Sequence, residues 1–189
     1  VLAGLSPENA LLIGAPQLDF LRPEYIEDSN NLKEQLALKF ELNKSKDWVL
    51  FLSSFTYAEI SSQRLKLNES VAGIDLSDIV PFYTDSRKIL ITWFSDYLEK
   101  NSDVEFIYRP HPDELNLNIV KELDAKFKNF HIISYSSAKE WIIASDQLYT
   151  WYSTTVVEAQ FIDKDCAILR PFDLPESFDS VLLKHGNFI

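Results

Sequence analysis

Arg109 and His111 stand where a ligand would meet them. They flank Pro110, precede Pro112, and follow directly on the β-rich run from Val104 to Tyr108. Proline has no amide donor and fixes its own φ, so a strand must stop there. A guanidinium and an imidazole are then carried on a stiff loop at the carboxyl end of a strand, where open α/β sheets bind ligands. A second stretch has the same form: Gln147 to Trp151 reads as strand, and Ser153 to Ile162 as the helix after it. A helix start presents unpaired amides and the positive end of its dipole, and Ser153, Thr154 and Thr155 add hydroxyl donors, so this stretch can bind a phosphate. Ser153 can equally serve as a simple cap. Glu158, about a turn into the helix, can accept from the two hydroxyls of a ribose, although the dipole favours a carboxylate there in any case. A phosphate clamp with a ribose acceptor describes a nucleotide. Ser53 and Ser54, after a third apolar run, can offer amides and hydroxyls to the same phosphate or cap the segment that follows.

The elements that must position these residues alternate. Strands are expected at 48–52, 104–108, 130–134, 147–151 and 166–169. Helices are expected at 30–42, from an N-cap at Thr84 to about Asn101, at 115–127, from Ser137 to Ala144, and at 153–162. Trp48 to Leu52 is uninterrupted and apolar, the pattern of a strand buried on both faces. Residues 57–82 are poorly periodic, with Gly73 and Pro81 as breakers, and are expected to be irregular or to hold short helices. Strand–helix alternation at this spacing means βαβ units with right-handed crossovers, hence an α/β fold with a Rossmann-like doubly wound parallel sheet. Residues 1–29 read as an entry segment, with a short strand at Leu11–Pro16, and 30–189 as the domain. His131 reads as a core or surface histidine.

Composition narrows the function classes. The 189 residues carry a net charge of −11, which argues against non-specific nucleic-acid binding and against a basic membrane-docking face. The lone cysteine, Cys166, lies in an apolar run and reads as a buried structural thiol. Only 4 glycines are present, with neither a dinucleotide fingerprint nor a P-loop. There is no His/Cys cluster at metal-ligand spacing, no signal peptide, and no apolar run long enough to span a bilayer. The sequence contains 0 methionines and opens in mid-pattern at Val1-Leu2-Ala3, which suggests a piece of a longer protein.

Arg109-Pro110-His111-Pro112 together with Ser153-Thr154-Thr155 resembles the His-Pro and Ser/Thr motifs of bacterial surface-glycan transferases of the GT-B type. These include capsule Kdo transferases, sialyl- and polysialyltransferases, and CDP-glycerol glycerophosphotransferases. Ile13 to Glu24 resembles the interdomain segment of such proteins. The resemblance implies two Rossmann-like domains with the active site between them, of which this chain supplies the C-terminal, nucleotide-sugar-binding one. The acceptor-binding domain would be missing, apart from residues 1–13. His111 would contact the donor phosphate and help the nucleotide leave, Ser153 and Thr154 would bind the same phosphate, and Glu158 would reach the ribose. A protonated His111, Arg109 and the helix amides would stabilise the charge that builds on the leaving phosphate. The implied partners are a nucleotide-activated donor, CMP- or CDP-linked, and a glycan acceptor. The implied enzyme is metal-independent and cofactor-free, with its catalytic base in the other domain. Its expected place is the cytoplasm, with peripheral association at the inner membrane face open for the full-length protein. The rival readings are a non-hydrolysing UDP-sugar 2-epimerase, whose glycine-rich loop is replaced here by Trp151-Tyr152-Ser153-Thr154-Thr155, and a nucleotide-binding module without catalysis.

Overall fold

Trp48-Val49-Leu50-Phe51-Leu52 has no polar side chain to leave at a surface, and the fold covers it on both sides. The computed structural model describes residues 16–26, 28–73, 75–173 and 187–189. The expected strand at Leu11–Pro16 lies almost wholly outside the described residues. In chain order the elements are α1 (Pro16–Asp19), α2 (Ser29–Phe40), β1 (Asp47–Leu52), α3 (Ser62–Ala72), α4 (Ile79–Lys100), β2 (Val104–Arg109), α5 (Asn118–Lys126), β3 (Phe130–Ile132), α6 (Ala138–Ala144), β4 (Gln147–Thr150), α7 (Thr155–Phe161), β5 (Cys166–Ile168) and β6 (Asn187–Phe188). The strands form one parallel sheet in the order β3-β2-β1-β4-β5-β6. This is the expected α/β doubly wound class.

Alternation along β1 divides the interior into two cores. Trp48, Leu50 and Leu52 point to one face, where they meet Leu36 of α2, Trp141 and Ile142 of α6, and Val156 of α7. Val49 and Phe51 point to the other face, against Leu90 and Phe94 of α4 and Val120 of α5. Trp48, Leu50 and Phe51 are fully buried. The segment ahead of α2 is tied to α6, since the Lys139 ammonium donates to the carbonyls of Phe20 and Tyr25. Ser137 caps α6 as expected, in a reciprocal capping box with Glu140. At the other end of α6 the Lys164 ammonium closes three carbonyls, those of Ile142 (2.9 Å), Ile143 (2.6 Å) and Ser145 (2.6 Å).

Two expectations about helix starts are corrected. Thr84 is not an N-cap: α4 begins at Ile79 and runs through Pro81. Proline is tolerated in a first turn because its missing amide has no intrahelical acceptor there. Ser153 is not the cap of α7: Thr154 occupies that position, in a helical conformation and without a side-chain cap bond. The stretch 57–82, expected to be irregular or to hold short helices, holds α3, which closes on Gly73 in the left-handed region at φ 68°.

Leu50→Ala should cost about 2–5 kcal/mol in urea unfolding, because the cavity opens at the centre of the sheet. Leu38→Ala, on an exposed face of α2, should stay within about 0.5 kcal/mol. Equal effects of the two changes would contradict the two-core arrangement.

Candidate functional site

In this strand order the chain winds outward from β1 through β2 to β3 and then crosses back to place β4 on the other side of β1. The crevice outside their carboxyl ends is where such sheets bind ligands. Register brings those ends level, with Leu52 beside Arg109 of β2 and beside Thr150 of β4. The buried Thr150 hydroxyl donates to the Leu52 carbonyl at 2.7 Å.

A cleft of about 540 Å³ opens there, within the roughly 300–1,000 Å³ usual for small-ligand sites. The loop after β1 supplies Ser54, Thr56 and Tyr57, and the loop after β2 supplies His111 and Asp113. The loop after β4 supplies Tyr152, Ser153 and Thr154. Arg64 and Asn68 of α3 and Tyr83 of α4 complete the wall. Among the expected site residues, His111, Ser153, Thr154 and Ser54 are therefore brought together from three separate loops.

His111 is half-exposed. The Asp113 amide donates to its Nδ1 at 3.1 Å. With Nδ1 accepting from that amide, Nε2 is the ring nitrogen left to donate to a ligand. The Ser54 hydroxyl is buried and has no hydrogen-bond partner among the described residues. The Ser153 hydroxyl accepts from the Thr155 amide at 3.3 Å and lies 2.8 Å from Thr155 Oγ1. Thr155 thus holds Ser153 in place without itself lining the cleft.

The other expected residues are committed elsewhere. Strand β2 runs one residue further than expected, and Arg109 alternates to the face opposite Tyr108. There its guanidinium donates to the carbonyls of Tyr135 (2.9 Å) and Ser136 (2.5 Å), and burial lowers its pKa. Ser53 is buried, and its hydroxyl is spent on Glu114. Glu158 is half-buried and outside the cleft lining, and burial raises its pKa.

Glu114 is what fixes the His111 loop. Its carboxyl accepts from the Tyr108 hydroxyl (2.7 Å) and the Ser53 hydroxyl (2.5 Å). Arg87 of α4 lies 3.6 Å from it, and the Arg87 guanidinium also donates to the Asn116 carbonyl (2.6 Å) and Glu59 (2.5 Å). The Glu114 amide closes the turn by donating to the His111 carbonyl at 2.9 Å. Burial raises the pKa of Glu114 against the opposing pull of its donors and Arg87. On the other side of the cleft, Phe55 stacks on Trp151 at 4.6 Å, joining the loop after β1 to the loop after β4. Tyr83 meets Trp151 edge-on at 4.6 Å and Tyr57 at 5.3 Å. Burial first, then the neighbouring tyrosines, raises the Tyr83 pKa, which keeps its hydroxyl a donor.

Arg64, Asn68, Tyr57, Tyr83 and Asp113 were not legible as site residues. Arg64 and Asn68 are four apart and would share a helical face, but the helix itself was hidden by weak periodicity. Asp163-Lys164-Asp165 has the spacing of an acidic metal motif, yet it connects α7 to β5 at the amino end of the strand, away from the cleft. Among the described residues no group of His, Cys, Asp and Glu is arranged to hold a metal ion.

No protein-family model matches the sequence, and no curated protein matches it. Among solved structures the chain is similar to three of the wall teichoic acid polymerase TagF. One is a histidine-to-asparagine variant (TM-score 0.49, 14% identity), and another is that variant after a 30 minute soak with CDPG (0.48, 18%). The third is a histidine-to-alanine variant (0.48, 15%). Each match covers 87% of this chain, which in turn spans 34%, 33% and 34% of theirs.

Glu114→Ala should leave the Ser53 hydroxyl without its acceptor and Tyr108 with only Ser53 Oγ at 2.8 Å, at about 1–3 kcal/mol. Glu114→Gln separates the charge from the shape. A carboxyl whose folded pKa is raised contributes stability that is full below its unfolded value, near pH ~4.3, and is lost as pH rises through the folded value. Wild type should therefore gain on Glu114→Gln in urea titrations as pH falls from neutral towards about 4. A difference that does not vary with pH would contradict the burial of this carboxyl.

Proposed function

We propose that this chain is the donor-nucleotide-binding domain of a GT-B type glycosyltransferase that acts without a metal. The donor is a CMP- or CDP-linked sugar or polyol phosphate, and the product is a surface polysaccharide. The observation that carries the reading is the convergence of the His111 ring with the Ser153 and Thr154 hydroxyls on one cleft at the switch point of the sheet. These are the motifs whose resemblance suggested a nucleotide-sugar transferase. In this reading the Nε2–H of His111 and the two hydroxyls donate to the phosphate that stays with the nucleoside. Bond breaking builds negative charge on its oxygens, and fixed donors in a partly closed cleft stabilise that charge, each worth about 10²–10³ in rate. Tyr57, Tyr83 and Tyr152 offer aromatic surface against which a base can stack. The acceptor and the base that deprotonates it belong to the rest of the enzyme, so the 189-residue chain binds nucleotide without turning it over.

A thermal-shift panel of CMP, CDP, UDP and GDP tests this. A cytidine nucleotide at about 100 times its Kd should raise Tm by roughly 5–10 °C. His111→Ala and Ser153→Ala should each reduce that shift while the circular dichroism of the free protein is unchanged. Equal shifts in wild type and His111→Ala, or turnover of an activated sugar by this chain alone, would overturn the reading.

A further inference from the structure

None of the side chains of α3 is buried. Leu67 and Val71 are 63% and 82% exposed. Short helices draw most of their stability from packing an apolar face, so α3 is weakly held. Its cleft side is different. Arg64 and Asn68 line the cleft, and Arg64 Nη2 lies 2.8 Å from Asp113 Oδ1. Asp113 is also the residue whose amide holds the His111 ring, and its carboxylate is 61% exposed. A solvated ion pair of this kind adds little to stability. A phosphate, with more acceptor oxygens and a higher charge, is the better partner for a guanidinium fork. Arg109, the guanidinium singled out by sequence, is turned to backbone carbonyls on the other face of the sheet. Arg64 is the arginine that lines the cleft.

We infer that Arg64 is the residue that grips the anionic ligand, that Asp113 competes with the ligand for it, and that transfer of Arg64 from Asp113 to phosphate draws α3 down over the cleft. This rests on the cleft being a nucleotide-phosphate site. The unpartnered Ser54 hydroxyl supports the same placement of the anion, since it is a buried donor lining the same cleft. The Asp113 amide bond to His111 does not depend on the carboxylate, so Asp113→Asn alters the competition without releasing the ring.

Calorimetric titration with CDP at fixed ionic strength, combined with amide hydrogen exchange, tests the inference. Arg64→Ala should weaken CDP at least 10-fold and Arg64→Lys less, because lysine keeps the charge without the fork. Asp113→Asn should tighten CDP several-fold when Arg64 is present and much less in the Arg64→Ala background; such a cycle isolates the coupling between the two residues. CDP should slow exchange of the α3 amides in wild type but not in Arg64→Ala. Wild-type affinity in Arg64→Ala, or the same Asp113→Asn effect in both backgrounds, overturns the inference. If His111→Ala abolishes CDP binding while Arg64→Ala does not, the nucleotide reading stands and the role of Arg64 falls. If wild type binds neither CDP nor CMP, both fall.

Discussion

The carboxyl of Glu114 sits where three segments of chain have to meet. Its donors are the Tyr108 hydroxyl at the end of β2 and the Ser53 hydroxyl at the end of β1, and beside it lies Arg87 of α4. A buried carboxyl is costly unless its lone pairs are satisfied, and these groups can satisfy it only with the two strand ends and α4 in this arrangement. The His111 loop follows from that, because His111 and Glu114 close one turn through their backbones. Arg87 extends the constraint to Glu59 in the loop after β1 and to the carbonyl of Asn116. One buried polar cluster thereby sets the geometry of two of the three loops that form the cleft.

The third loop is set by apolar contact. Trp151 is buried at the end of β4 and stacks on Phe55, so Tyr152, Ser153 and Thr154 are delivered to the same cleft. Aromatic stacking is non-polar and tolerant, whereas the Glu114 cluster is directional. The cleft therefore combines one stiff wall, which carries His111, with one wall held by packing and an outer flank, α3, that is scarcely packed at all. A rigid anchor beside a loosely held flank suits a site that must bind and then release a charged ligand.

Much of this was legible in the residues. The breaks at Pro110 and Pro112 located the loop that carries His111, and the apolar runs located five strands to within a few residues at either end. Ser137 announced the start of α6. Where reading failed, an interaction distant in sequence decided the outcome. Arg109 was placed by strand alternation and by the carbonyls of Tyr135 and Ser136, and Ser53 by a carboxyl 61 residues away. Thr84 lost its capping role because Pro81 can sit inside a first turn. Arg64 and Asn68 lie on a helix with no buried face, and such a helix has no hydrophobic periodicity to read.

The central claim is that the loops after β1, β2 and β4 form one nucleotide-phosphate site. A chemical-shift map recorded as CDP is titrated into the labelled chain tests it most directly. The account predicts saturable shifts at the amides of Ser54, Asp113, Ser153 and Thr154 and at the ring of His111, all fitting one dissociation constant. Shifts confined to residues away from the cleft, such as the apolar groove that Trp93, Tyr97 and Tyr149 line beside α4, or separate constants for the separate loops, would contradict it.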